Sequence, residues 1–203
     1  MKVLRQTEIE TNEFKVGDQI RVGHYTATCQ KIAENGALFL LDQCLNNGMQ
    51  MNSEDTNEGG YEASDLRKKL NSEAILKEFS GLELIPFKNG DLLRIPFYGE
   101  IFGHDNDDWC IYSAVEPDDC KQWNLMKKHI NRIAEREGDC ECWWFQNKDV
   151  RSSTDFCGVH RNGYTGFWGA SDSLGVRPVF RIYVFRQHKG YPKNWKKDIS
   201  NAL

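Results

Sequence analysis

The sequence predicts an α+β fold, and three observations predict it. Residues 14–44 alternate and cluster apolar side chains as strands do, around an Asn35-Gly36 turn. Two later stretches repeat apolar residues at helical spacing. A dense apolar run, Val176-Arg177-Pro178-Val179-Phe180-Arg181-Ile182-Tyr183-Val184-Phe185, precedes a short polar tail.

The early β region starts at Phe14-Lys15-Val16, before a Gly17-Asp18 turn, and continues through Ile20 and Val22. Tyr25 to Ile32 and Ala37 to Asp42 flank Glu34-Asn35-Gly36. Asn-Gly between apolar runs marks a hairpin because both residues tolerate positive φ. Phe39-Leu40-Leu41 is continuous rather than alternating, which predicts a strand buried on both faces. Residues 45–60 read as a polar loop.

The first helix is expected after Ser64, whose hydroxyl can accept from an unpaired N–H of the first turn. Leu66, Leu70, Ile75, Leu76 and Phe79 make its stripe, with Ser72 starting a second short piece. Short strands are expected around Leu84-Ile85-Pro86-Phe87 and Leu92-Leu93-Arg94-Ile95. A second helix is expected from Pro117, with Asp118 and Asp119 at the positive end of its dipole. Trp123, Met126, Ile130 and Ile133 would form its apolar face, and Gly138 would end it. In the closing strand Pro178 cannot donate to a ladder, so it belongs at an edge, a bulge or the strand start.

The 203 residues, 39% hydrophobic and 28% charged, suit one domain over residues 1–186 followed by a basic polar tail, 187–203. A net charge of −4 gives no general attraction to nucleic acid. No apolar stretch is long enough to span a bilayer, and the polar start Met1-Lys2-Val3-Leu4-Arg5-Gln6 is unlike a signal peptide. The expected location is the cytoplasm or a phage particle, and the 7 cysteines are expected to be free thiols.

Two sets of segments carry a resemblance. One is Ser64-Asp65-Leu66-Arg67-Lys68-Lys69-Leu70-Asn71, with Pro86-Phe87-Lys88-Asn89-Gly90-Asp91 and Gly99-Glu100-Ile101-Phe102-Gly103. The other is Trp143-Trp144 with Arg151-Ser152, closing on Gly169-Ala170-Ser171-Asp172-Ser173-Leu174-Gly175-Val176-Arg177-Pro178-Val179-Phe180. Together they resemble a domain-of-unknown-function family of gut Firmicutes and their phages, whose members carry a Trp-Trp-Leu-Arg-Ser block and a Gly-Val-Arg-Pro-Ala-Phe ending. This sequence departs from it at residues 145–150, which separate the Trp pair from Arg-Ser.

That closing block in turn resembles the ending of formylglycine-generating-enzyme-like domains, which have a C-type-lectin-like core. The resemblance implies small twisted antiparallel sheets, pairing of early and late strands, two flanking helices, and a long irregular loop region that presents side chains to a ligand.

A binding surface is the leading functional expectation. Trp144, Tyr164, Phe167 and Trp168 are interleaved with His160, Arg161, Asn162 and Asp172. Flat rings cover apolar faces while neighbouring polar groups take hydrogen bonds, a combination that suits glycan or protein surfaces. At least one Trp of the 143–144 pair is expected in the core.

Other chemistries have weaker signals. Cys140, Cys142, Cys157 and His160 form a Cys₃His set that tetrahedral zinc could use. A Cys157–His160 pair could activate a thiol, although the oxidase chemistry of the formylglycine type needs paired thiols near the closing block. Glu116-Pro117-Asp118, with Asp105, Asp107 and Asp108, superficially resembles a calcium-lectin motif. Arg177 reads as a structural donor to carbonyls or an ion-pair partner. No phosphate-cradling glycine loop and no Gly-x-Ser-x-Gly elbow is present. The expectation is a non-enzymatic recognition domain with no cofactor and no catalytic residues; the rivals are a formylglycine-type oxidoreductase and a zinc-stabilised phage component.

Overall fold

A computed structural model describes residues 13–33, 36–104, 112–113 and 120–183. Three antiparallel strands open the fold: β1 (Gln19–Val22), β2 (Tyr25–Ala33) and β3 (Gly36–Leu41). The register Ala33↔Gly36 fits a two-residue hairpin link, but Glu34 and Asn35 themselves lie outside the described residues. β2 carries a bulge between Cys29 and Lys31, which takes Gln30 out of the ladder.

The chain continues through β4 (Met49–Gln50), three short helices α1 (Gly60–Ala63), α2 (Asp65–Leu70) and α3 (Glu73–Leu76), and β5 (Leu93–Arg94). α4 (Tyr98–Phe102) and β6 (Tyr112–Ser113) follow. The hairpin β7 (Ala134–Arg136) and β8 (Asp139–Glu141) precedes the long strand β9 (Trp143–Asp149). β10 (Asp155–Val159), β11 (Thr165–Gly169), β12 (Ser173–Leu174) and β13 (Val179–Ile182) complete the order. No helix among the described residues is long and apolar enough to cross a membrane.

Two sheets dominate, in the orders β1-β2-β3-β13-β5 and β11-β10-β9-β6. β13 lies antiparallel to β3, pairing Phe180 with Phe39, so the last described strand sits beside an early one. A Cβ at Gly36 would lie 2.4 Å from the Ile182 carbonyl oxygen, so only glycine lets β13 come this close. Every residue of β3 is buried, as its unbroken apolar run predicts. Phe39 and Leu41 join one core with Phe180, Leu66 and Phe79, while Leu38 and Leu40 join a second with Ile101, Met126 and Val179.

β9 and β10 divide the same way. Trp144 and Phe156 enter the first core; Trp143, Phe145, Cys157 and Val159 enter the second. The period-2 geometry of a strand explains this, since successive side chains leave opposite faces. Residues 143–172 are therefore mostly ordered strands, not the long irregular loop expected, because both faces of this segment are needed for packing.

The first helical expectation matches α2, where the Ser64 hydroxyl accepts from the Arg67 N–H at 3.1 Å. The second does not. Its start at Pro117 lies outside the described residues, and residues 124–132 form two 3-10 turns, Asn124–Lys127 and His129–Arg132, separated by extended Lys128. The freed carbonyls are taken by side chains: Leu125 by Asn131 (2.7 Å), Met126 by Arg132 (2.8 Å) and Arg132 by the Trp143 indole (3.0 Å). Trp123 and Met126 are buried, but Ile130 is 67% exposed, so the apolar spacing does not form one face. Gly138 (φ 92°) with Glu137 (φ 55°) makes the β7–β8 turn instead of a helix end, using the same left-handed freedom.

The 45–60 loop is anchored more firmly than its polarity suggests. Asn57 is buried, and its amide nitrogen lies 2.8–3.3 Å from the carbonyls of Asp149, Ser152 and Asp155. Of the strands expected near Leu84 and Leu92, the second is β5, while the first is reduced to a bridge between Leu84 and Ile182.

Candidate ligand-binding surface

The β10–β11 hairpin carries most of the expected surface residues. Its strands pair Val159 with Thr165 and Gly158 with Gly166. The Trp168 ring lies across both glycines: a Cβ at Gly166 would come within 2.6 Å of it, and one at Gly158 within 3.0 Å. Two opposed glycines thus make a flat slot for one large ring. Trp168 stays half-buried, meeting the core through an edge-on contact with Trp144 at 6.4 Å.

His160 follows β10 and lies nearly parallel to Trp168, with centroids 6.4 Å apart and 13° between planes. Its backbone closes the tip, the N–H donating to the Tyr164 carbonyl and the carbonyl accepting from Gly163, both at 2.7 Å. Gly163 takes φ 83°, and the Asn162 side-chain oxygen accepts from the Tyr164 N–H at 3.3 Å. Arg161 and Asn162 are exposed, and Tyr164 is 61% exposed with its ring 4.7 Å from that of His129.

His160, Arg161, Asn162 and Tyr164 therefore share the hairpin tip, and the His160 ring reaches back to Trp168. Three expected members do not join them. Trp144 has no exposed surface, and its indole N–H donates to the Met49 carbonyl at 2.8 Å. It belongs to the core, because β9 sends alternate rings into each core. Phe167 leaves the opposite face of the hairpin, where Arg151 lies over its ring at 5.4 Å. Asp172 is exposed at the far end of β11, in a turn whose N–H bonds the Gly169 carbonyl.

Arg151 is held by Asp149 through two bonds, Nε to Oδ1 at 2.9 Å and Nη2 to Oδ2 at 2.7 Å. The guanidinium holds the Asp149 carboxyl below the usual range. Sequence reasoning missed Arg151 as the cover of Phe167 and His129 as the support of Tyr164. The latter partners are far apart in the chain, and no local pattern links them.

The thiol constellations do not assemble. Cys157 is buried in the second core, Cys140 is exposed, and the His160 ring lies along Trp168. No group of three or more His, Cys, Asp or Glu among the described residues is placed to hold a metal ion. The alternation of β10 explains the Cys157 position: it shares the inward face with Val159, while the hairpin tip turns His160 away. Burial pushes the Cys29 thiol up to about 11 and the Cys44 thiol up to about 12, away from nucleophilic thiolates. Asp105, Asp107, Asp108 and Glu116-Pro117-Asp118, the calcium-type motif, lie outside the described residues, as does the basic tail from 187.

Small antiparallel sheets with few, short helices define a mixed α+β protein. No protein-family model, curated protein or solved structure matches the chain.

Proposed function

We propose that this chain is a non-enzymatic recognition domain on a C-type-lectin-like core, from a bacterium or prophage, that engages a glycan or protein surface through the β10–β11 hairpin. The observation that carries this reading is the exposure of Tyr164 at a tip held rigid beneath it. Arg161 and Asn162 flank the ring, and the His160–Trp168 pair extends the aromatic surface along the strand.

A rigid aromatic costs little entropy to immobilise on binding, and the neighbouring amide and guanidinium supply directional bonds. The hairpin base is tied into both cores, so the tip is displayed without being free to collapse. Thiol-based oxidation is a poorer reading, because Cys157 is enclosed in the second core and the two shifted, fully buried thiols are held protonated.

A glycan array, run with and without calcium, tests the proposal. Binding that falls at least about tenfold in Tyr164→Ala, with an unchanged melting temperature, supports it. Binding that survives both Tyr164→Ala and Arg161→Ala moves recognition off the hairpin. No binding to any glycan removes the glycan half of the reading.

A further inference from the structure

A separate polar cleft of about 480 Å³ lies between the β1–β2 surface and the 3-10 turns of residues 124–132. That size falls within the roughly 300–1,000 Å³ typical of small-molecule sites. Its walls differ in chemistry. Gln19, Thr28, Gln30 and Asp42 bring amides, a hydroxyl and a carboxylate, while Leu125, Ile130 and Ile133 bring an apolar strip.

Arg177 also lines the cleft and is only 3% exposed. Its Nε donates to the Leu41 carbonyl at 2.9 Å, Nη1 reaches the Asn131 carbonyl at a long 3.4 Å, and the guanidinium lies 4.8 Å from the Trp143 ring. Among the described residues no carboxylate forms an ion pair with it, and Nη2 makes no hydrogen bond. A buried cation without an anion is costly, and burial here works against the charged form. Asp42 is the carboxylate whose charge favours the guanidinium, but its oxygens already accept from Thr28 (2.6 Å) and Gln19 (3.0 Å).

Gln30 provides the second, independent sign. The β2 bulge turns it out of the ladder, and it is 4% exposed. Its amide nitrogen donates to the Thr28 carbonyl at 3.1 Å, yet its side-chain oxygen has no partner. A buried acceptor left unpaired is destabilising, a cost that a ligand hydroxyl would recover.

We propose that this cleft binds a small hydroxylated carboxylate of the sugar-acid class. The ligand carboxylate meets Arg177, hydroxyls meet Gln30 and the free lone pairs of Asp42, and a C–H face lies on the Ile130–Ile133 strip. The site is distinct from the hairpin, although the turn His129–Arg132 touches both, through His129 at Tyr164 and Ile130 in the cleft.

Saturation-transfer NMR and calorimetry on the full chain test this, with D-glucuronate and D-galacturonate against D-glucose and D-galactose. A sugar acid is expected to bind at least about tenfold tighter than its neutral counterpart, through the charge-assisted contact. Ile130 is exposed at the rim, so Ile130→Asp should weaken binding of the acid severalfold more than Ile130→Lys does, with both variants folded. Tyr164→Ala should leave this binding unchanged, which separates it from recognition at the hairpin. Equal binding of acids and neutral sugars, or insensitivity to the charge at position 130, overturns the assignment. So does the absence of saturation transfer from all four probes at millimolar concentration.

Discussion

Gly158 and Gly166 face each other across the β10–β11 ladder, and the Trp168 ring lies over both. The two glycines differ in what a side chain would meet. At Gly158 a Cβ would sit 2.5 Å from the Trp143 carbonyl oxygen, which is backbone and cannot move aside alone. At Gly166 its nearest neighbours would be atoms of the Trp168 ring. Gly158→Ala should therefore destabilise by about 1–3 kcal/mol, through displacement of β9 from β10. Gly166→Ala should cost less and should turn Trp168 outward. Urea unfolding measures the first effect, and near-ultraviolet circular dichroism the second.

Trp144 and Tyr164 should separate packing from recognition. Trp144→Ala removes a fully buried ring and its bond to Met49, and should cost about 3–5 kcal/mol. Tyr164→Ala should change stability by about 0.5 kcal/mol or less, since the ring is mostly in solvent. Thermal unfolding of the two variants beside the parent checks both. Equal losses would mean that Tyr164 is a packing residue.

The Asp149–Arg151 pair predicts a pH dependence. The Asp149 carboxyl is held below its unfolded value, first by the side-chain bond from Arg151. Such a group adds stability above the unfolded pKa of about 3.9 and loses it as pH falls through the lower folded value. Arg151 is half exposed, so the pair is worth about 1 kcal/mol or less. The stability gap between the parent and Arg151→Ala should be present at neutral pH and close on the acid side of about pH 4. Urea titrations across that window measure it; a gap unchanged in strong acid would assign the loss to the uncovered Phe167 ring.

Thiol reactivity should follow burial. Cys29, Cys44 and Cys157 are buried, whereas Cys140 is exposed. With thiols pushed up to about 11 and 12, Cys29 and Cys44 stay protonated at pH 8. A disulfide reagent should label Cys140 rapidly in the native protein and reach the three buried thiols only on unfolding. Mass spectrometry of the labelled peptides identifies them, and rapid native labelling of Cys44 would contradict the packing around it.

Asn57 should prove structural despite sitting in a loop. Its amide reaches three carbonyls in and beside β9 and β10. Asn57→Ala leaves those buried acceptors short of a donor and should cost about 1–3 kcal/mol in urea unfolding.

Local chemistry determined what the sequence by itself could fix. The unbroken apolar run of β3 meant burial on both faces, Ser64 capped its helix, and the closing apolar run became β13. Each follows from one residue and its near neighbours. Tertiary structure decided the rest. Spacing of Trp123, Met126 and Ile130 marks which residues are apolar, not which carbonyls nearby side chains will capture, so two 3-10 turns replaced a helix. Only the pairing of distant strands put Trp144 in the core and left Tyr164 in solvent, and only the approach of the 124–132 turns to β2 enclosed Arg177 beside Gln30. Burial and pairing across long sequence separations depend on the whole chain's packing, which no local pattern encodes.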